Sequence, residues 1–170
     1  QTITVTDNTF PLASAPTTID IECGNAAPLG ATTYAGFTGL GGTASDNCTA
    51  NASLVIAYTD GLLVGTDCSG TIARSYTITD ACGNTTTVVQ TITVTDNTFP
   101  LASAPATIDI ECGNAAPVGA TTYAGFTGLG GTASDNCTAN ASLVIAYTDG
   151  LLVGTDCSGT IARSYTITDA

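Results

Sequence analysis

Gln1-Thr-Ile-Thr-Val-Thr-Asp-Asn-Thr-Phe-Pro11 returns residue for residue as Gln90 to Pro100, a period of 89 residues. From there to the end 81 positions can be compared, and two differ: Thr17 becomes Ala106 and Leu29 becomes Val118. Such a period is longer than the ~34–47 residues of helical solenoid repeats. It suits one β-sandwich domain of about 100 residues. The sequence starts inside a strand-like stretch and stops one residue before the position equivalent to Cys82. The expectation is therefore a window on a longer array. Residues 1–7 would end a preceding module, 8–96 would be one module, and 97–170 a second, truncated one.

Working outward, period-two alternation is the dominant pattern. From Thr18 to Cys23 it sets Ile19, Ile21 and Cys23 on one face and Thr18, Asp20 and Glu22 on the other. Leu54, Ile56 and Tyr58 alternate likewise, as do Ile72, Tyr76 and Ile78, and then Val88, Ile92 and Val94. Thr, Val, Ile and Tyr on such a pattern predict strands with one wet face. Asp80-Ala-Cys-Gly-Asn84 has the chemistry of a hairpin turn between the last two strands. The glycine-rich stretch Ala31–Ala44 reads as a loop-rich crossover with one short strand, and no helix is expected there. Phosphate-cradling glycine loops require a strand before them and a helix N-terminus after them, and that context is missing. Asp-Asn-Thr-Phe-Pro, where proline interrupts strand pairing, reads as a short, stiff link between modules.

Fourteen acidic residues face two arginines, a net charge of −12. That balance argues against nucleic acid or an anionic membrane surface as partner, since both select for basic patches. The apolar stretches, such as Leu54-Val-Ile-Ala-Tyr58, fall far short of the ~20 residues of a membrane-spanning helix, so no membrane insertion is expected. Each full repeat carries four cysteines, Cys23, Cys48, Cys68 and Cys82, and the second copy has Cys112, Cys137 and Cys157. The spacing contains no C-x-x-C and the chain has no histidine, so a zinc site is not indicated. An even number of cysteines per Thr-rich β module reads as a disulfide framework and an extracellular location.

Ser45-Asp-Asn-Cys48, Tyr76-Thr-Ile-Thr-Asp-Ala-Cys-Gly-Asn84 and Gln90-Thr-Ile-Thr-Val-Thr-Asp-Asn-Thr-Phe-Pro100 together resemble a known repeat. It is the hyaline-repeat-like, Ig-like module of very large cell-surface proteins of Bacteroidota, including gliding-motility adhesins. The resemblance covers nearly every residue of each module. It implies an all-β fold of tandem Ig-like (E-set or fibronectin-like) β-sandwich modules. It also implies a role as a cell-surface stalk, filament or adhesin.

In such a sandwich, successive strands run in opposite directions and their loops alternate between the two poles. That topology predicts Cys23–Cys68 and Cys48–Cys82, with Cys112–Cys157 in the second copy and Cys137 left for a partner beyond it. Each loop closes about 35 to 45 residues, which the chain-entropy model values at roughly 4 kcal/mol. With no lysine in the chain, Lys–Asn isopeptide bonds are excluded, and disulfides are the covalent reinforcement that remains.

No histidine means no Ser–His or Cys–His dyad, and carboxylates such as Asp20 and Glu22 alternate along a strand's polar face. The chain is not expected to be an enzyme, and no cofactor is called for. Calcium is the one candidate ion, through Asp96, Asn97, Asp135 and Asp169, since calcium takes six to eight oxygen ligands. The alternative is that these Asp and Asn residues only form turns. Arg74, on the face of Ile72, Tyr76 and Ile78, is expected to stack on a tyrosine or pair with a carboxylate in a structural role. Asn47, Asn51 and Asn84 match the glycosylation sequon, and exposed threonines leave O-glycosylation equally open.

The leading functional expectation is a stiff spacer whose partners are the neighbouring repeats. Alternatives are a glycan- or protein-binding adhesive module, with Tyr34 and Phe37 as the candidate loop aromatics, and a fibre of several copies assembled by strand complementation.

Overall fold

A computed structural model describes residues 1–66, 69–155 and 158–169. They form two compact units, Gln1–Thr95 and Asp96–Ala170. The chain is mostly β, and among the described residues no helix is long and apolar enough to cross a membrane.

The first unit runs β1 (Leu12–Ser14), β2 (Ile19–Glu22), α1 (Tyr34–Gly39), β3 (Thr43–Ser45), a 3-10 turn (Asn51–Ser53), β4 (Val55–Asp60), β5 (Val64–Gly65), β6 (Ser69–Thr79) and β7 (Thr85–Thr95). The main sheet has the order β2-β7-β6-β4, with β5 also on β6. Its ladders are antiparallel except one: β2 runs parallel to β7, Ile19 against Ile92 through Glu22 against Thr95. A separate ribbon pairs β1 with β3.

The long hairpin follows from local chemistry. In β6 and β7 the alternation buries Arg74, Tyr76 and Ile78, then Gln90, Ile92 and Val94. Between the strands, the Asp80 N–H donates to the Asn84 carbonyl at 3.1 Å. Gly83 takes φ +92° there, a conformation that costs glycine little. Thr79 consequently meets Thr85, and the ladder stays in register down to Ser69 against Thr95.

Phe37, Ala44, Leu54, Ile56, Tyr76 and Ile78 make the core, with Ala13, Ala31, Tyr34, Tyr58 and Val88 packed against it. The inner face of the sheet is thus covered by α1 and by residues of the β1–β3 ribbon. The glycine-rich stretch, expected to be loop, contributes a helix to this cover. Its N-cap Thr33 accepts the Gly36 N–H on Oγ1 at 3.1 Å, a standard way of satisfying an orphan helix donor. Phe37 is fully buried edge-on against Tyr76, ring centroids 5.0 Å apart. The helix ends at Gly39, and Gly41 (φ +90°) and Gly42 carry the chain into β3. A Cβ at Gly42 would lie 2.6 Å from the Phe37 ring. The glycines therefore seat an aromatic ring.

The second unit comprises β8 (Leu101–Ser103), α2 (Tyr123–Gly128), β9 (Thr132–Ser134), a 3-10 turn (Asn140–Ser142), β10 (Val144–Thr155) and β11 (Ser158–Thr168). It repeats the ribbon, as β8–β9, and the hairpin, as β10–β11 with an irregularity between Asp149 and Leu152. Ala120, Phe126, Ala133, Leu143 and Ile145 rebuild the core, joined by Tyr123, Tyr165 and Ile167. Two features of the first unit are not repeated. Among the described residues β11 has β10 as its sheet neighbour and nothing in the place of β7, and residues 108–111, the copy of β2, form no strand.

Candidate functional site

At one end of the first unit three loops bring acidic side chains together. Asp7 precedes β1, Asp46 follows β3, and Asp80 opens the β6–β7 turn. One carboxylate oxygen from each lies within 4.8 Å of the others. The second unit repeats the cluster with Asp96, Asp135 and Asp169, three of the four residues that the sequence singled out for calcium. The fourth, Asn97, is exposed beside Asp96.

Local donors hold each carboxylate in place. Asp46 Oδ2 accepts the Cys48 and Thr49 N–H groups at 2.9 and 2.8 Å. Asp80 Oδ1 accepts Cys82 and Asn84 N–H, both at 2.8 Å, and its Oδ2 accepts the Asn84 side-chain amide at 2.7 Å. The same amide donates to the Asp7 carbonyl at 3.3 Å, and Asp7 Oδ1 accepts Thr9 N–H at 3.0 Å. In the second unit Asp135 Oδ1 takes Cys137 and Thr138 N–H at 2.9 and 2.7 Å. Turn formation and carboxylate convergence, set against each other as alternatives by the sequence, are both present. Asp46 Oδ1 is buried and accepts no hydrogen bond.

Hydrogen bonding decides the state of Asp80. Desolvation is the largest single influence and pushes its pKa up. The Asn84 amide and the Asn84, Cys82 and Gly83 N–H groups together outweigh it, so the carboxyl sits below its usual range. The Cys48 thiol moves the other way. Desolvation, then the Asp7 carboxylate that it hydrogen-bonds, then Asp46 and Cys82 all raise its pKa.

Cys48 and Cys82 are exposed thiols in this structure, so the bridge expected between them is not closed, although both belong to the loops of the acidic cluster. The expected Cys23–Cys68 and Cys112–Cys157 bridges involve Cys68 and Cys157, which lie outside the described residues. Oxidised sulfur is present at Cys23 in the first unit and at Cys137 in the second. The latter departs from the expectation, which left Cys137 without a partner in this chain.

Arg74 fills both roles offered for it. Its Nε donates to Asp60 Oδ1 at 2.6 Å and Nη2 to Asp60 Oδ2 at 2.8 Å, and Nη2 also reaches the Pro28 carbonyl at 2.6 Å. The guanidinium lies 4.8 Å from the centre of the Tyr58 ring. Arg163, Asp149, Pro117 and Tyr147 repeat this clamp. Tyr34 and Phe37 are core or core-flanking residues, which removes them as a loop ligand platform. Of the sequon asparagines, Asn47 and Asn51 are exposed, whereas Asn84 is engaged by Asp80 and the Asp7 carbonyl. The Asn84 network was legible only as a turn, because nothing in the sequence says which strand end Asp7 approaches.

No known family model, curated protein or solved structure matches this chain.

Proposed function

We propose that the chain is a structural repeat of an extracellular cell-surface filament, stalk or adhesin, each unit an Ig-like sandwich that acts as a stiff spacer. The observation that carries this reading is the pair of near-identical units, each with its own core around an edge-on Phe–Tyr pair, Phe37–Tyr76 and Phe126–Tyr165. Repeated units that bury their own cores add length without new interfaces to evolve. The strong negative charge keeps neighbouring threads apart and in solution. No catalytic role is assigned in this reading: a chain without histidine has no Ser–His or Cys–His dyad. Electron microscopy of the intact protein tests the reading. Thin threads whose length scales with repeat number are expected, and compact particles would overturn it.

The acidic clusters favour a second component, a divalent cation held at each module end. Three carboxylates whose oxygens lie within 4.8 Å of one another would attract a cation between them, and Asp46 Oδ1 is buried without a donor. Calcium, with its preference for carboxylate and carbonyl oxygens, fits this donor set.

A further inference from the structure

One row of polar side chains crosses the inner face of the main sheet in the first unit. Asp60 on β4 stands opposite Arg74 on β6, and Arg74 stands opposite Gln90 on β7. The parallel ladder extends the row. Ile19 lies against Ile92, which brings Thr17, two residues earlier, beside Gln90. Two links of the row are made. Asp60 is joined twice to the guanidinium, and Gln90 Nε2 donates to the Thr17 carbonyl at 2.6 Å. Arg74 Nη2 also holds the Pro28 carbonyl. Thr17 precedes β2 and Pro28 follows it, so the row grips the chain on both sides of that four-residue edge strand.

The middle link is different. Arg74 Nη1 and Gln90 Oε1 are buried, and neither has a hydrogen-bond partner among the described residues. Both residues are 1% exposed, and burying a polar group without a partner is costly. Their heads lean apart, Arg74 toward Asp60 on one side and Gln90 toward Thr17 on the other. The amide cannot turn over, because the Thr17 carbonyl requires the NH2 group. What remains is a cationic donor and a neutral acceptor. An anion would suit Nη1 and oppose Oε1, and a cation would do the reverse. Water both donates and accepts, and suits the two together.

Tyr76 adds a third partner from the same face of β6. Its Oη accepts the Ala31 N–H at 3.1 Å, and its hydroxyl proton is available to an acceptor. It lies beside the guanidinium: the Arg74 pKa is raised, first by the Asp60 hydrogen bond and, against burial, by the Asp60 charge and the Tyr76 phenol.

We propose that Arg74 Nη1, Gln90 Oε1 and the Tyr76 hydroxyl bind one internal water molecule, which closes the row from Asp60 to Thr17. The water accepts from Nη1 and Tyr76 and donates to Oε1, about the three bonds typical of a buried water. Closed in this way, the row ties β4 and the chain around β2 to the central hairpin. The site stands independently of the spacer reading, since a module of any function would hold it.

Water–protein cross-relaxation in the 170-residue chain tests the proposal. Cross-peaks from a long-lived water to the Arg74 guanidinium and Tyr76 hydroxyl protons are expected, with the opposite signs of NOE and ROE that exclude proton exchange. Gln90→Met, close in shape but without the acceptor, should abolish them while the Phe37–Tyr76 ring contacts persist. Arg74→Lys, which keeps a charge for Asp60 but lacks Nη1, should abolish them as well. The measurement on the unaltered chain decides the matter even if a variant fails to fold. Absence of the cross-peaks there, their survival in Gln90→Met, or crystallographic density that joins Nη1 directly to Oε1 would overturn the proposal.

Discussion

Arg74 and Asp60 face each other across the β4–β6 ladder and are joined twice, Nε to Oδ1 at 2.6 Å and Nη2 to Oδ2 at 2.8 Å. The guanidinium is almost wholly enclosed while the carboxylate is a third exposed. Removing the carboxylate therefore strands a buried charge. Asp60→Ala should destabilise the first unit by about 3 kcal/mol. Asp149→Ala should cost the second unit less, because Arg163 reaches water. Native-state hydrogen exchange on β6 and β11 separates the two effects, and equal losses would contradict the burial argument.

Acid sensitivity follows from the same carboxylates. The Arg74 hydrogen bond holds Asp60 below its usual range, Arg163 does the same for Asp149, and the Asn84 and turn N–H groups do so for Asp80. A folded pKa below the unfolded value of about 3.9 stabilises the fold above that pH, and the stabilisation is lost as pH falls through the folded pKa. Urea midpoints should stay level from pH 7 to 5 and drop below about pH 4. Asp60→Asn should make that drop shallower.

Cys48 should alkylate slowly in the reduced protein at pH 8. Its pKa is raised by desolvation and by the Asp7 and Asp46 carboxylates, which leaves less of the reactive thiolate. Asp7→Asn removes one of these charges and should speed iodoacetamide labelling at Cys48. Peptide mapping that shows no change would separate Asp7 from the thiol.

Two nearby glycines should respond in opposite directions. A Cβ at Gly42 would collide with the Phe37 ring at 2.6 Å, whereas one at Gly39 meets nothing within 4 Å. Gly42→Ala should cost about 2 kcal/mol through overpacking. Gly39→Ala, on a helical residue, should gain about 0.5 kcal/mol. Thermal melts of the two variants make the comparison.

Calcium at millimolar concentration should raise the melting temperature over that in chelator, since a ligand of the folded state stabilises it by mass action. Asp46→Asn with Asp135→Asn should abolish the rise. An unchanged melting temperature would leave the clusters as turn-forming residues alone.

Much of the architecture is written in short-range pattern. Alternation along Ser69–Thr79 and Thr85–Thr95 marks the two long strands, and Asp80 and Gly83 mark their turn, because side-chain facing and turn chemistry depend on near neighbours. The helix at Tyr34–Gly39 escaped for a local reason. Six residues, two of them glycine, carry little helical signal, and Phe37 stabilises the turn only by meeting Tyr76, 39 positions away. The carboxylate cluster was legible in part. Asp96, Asp135 and Asp169 stand at strand ends, but the donors that orient them depend on how the loops close.

The repeat that opens the sequence shows where local information stops. By itself it determined the period and the alternation. It could not decide what Gln-Thr-Ile-Thr-Val-Thr does. At Gln90–Thr95 those residues are an interior strand with Ile92 and Val94 buried, and at Gln1–Thr6 the same residues lie exposed. A strand needs neighbours for its N–H and C=O groups and for its apolar face. Only the tertiary structure supplies β6 and β2.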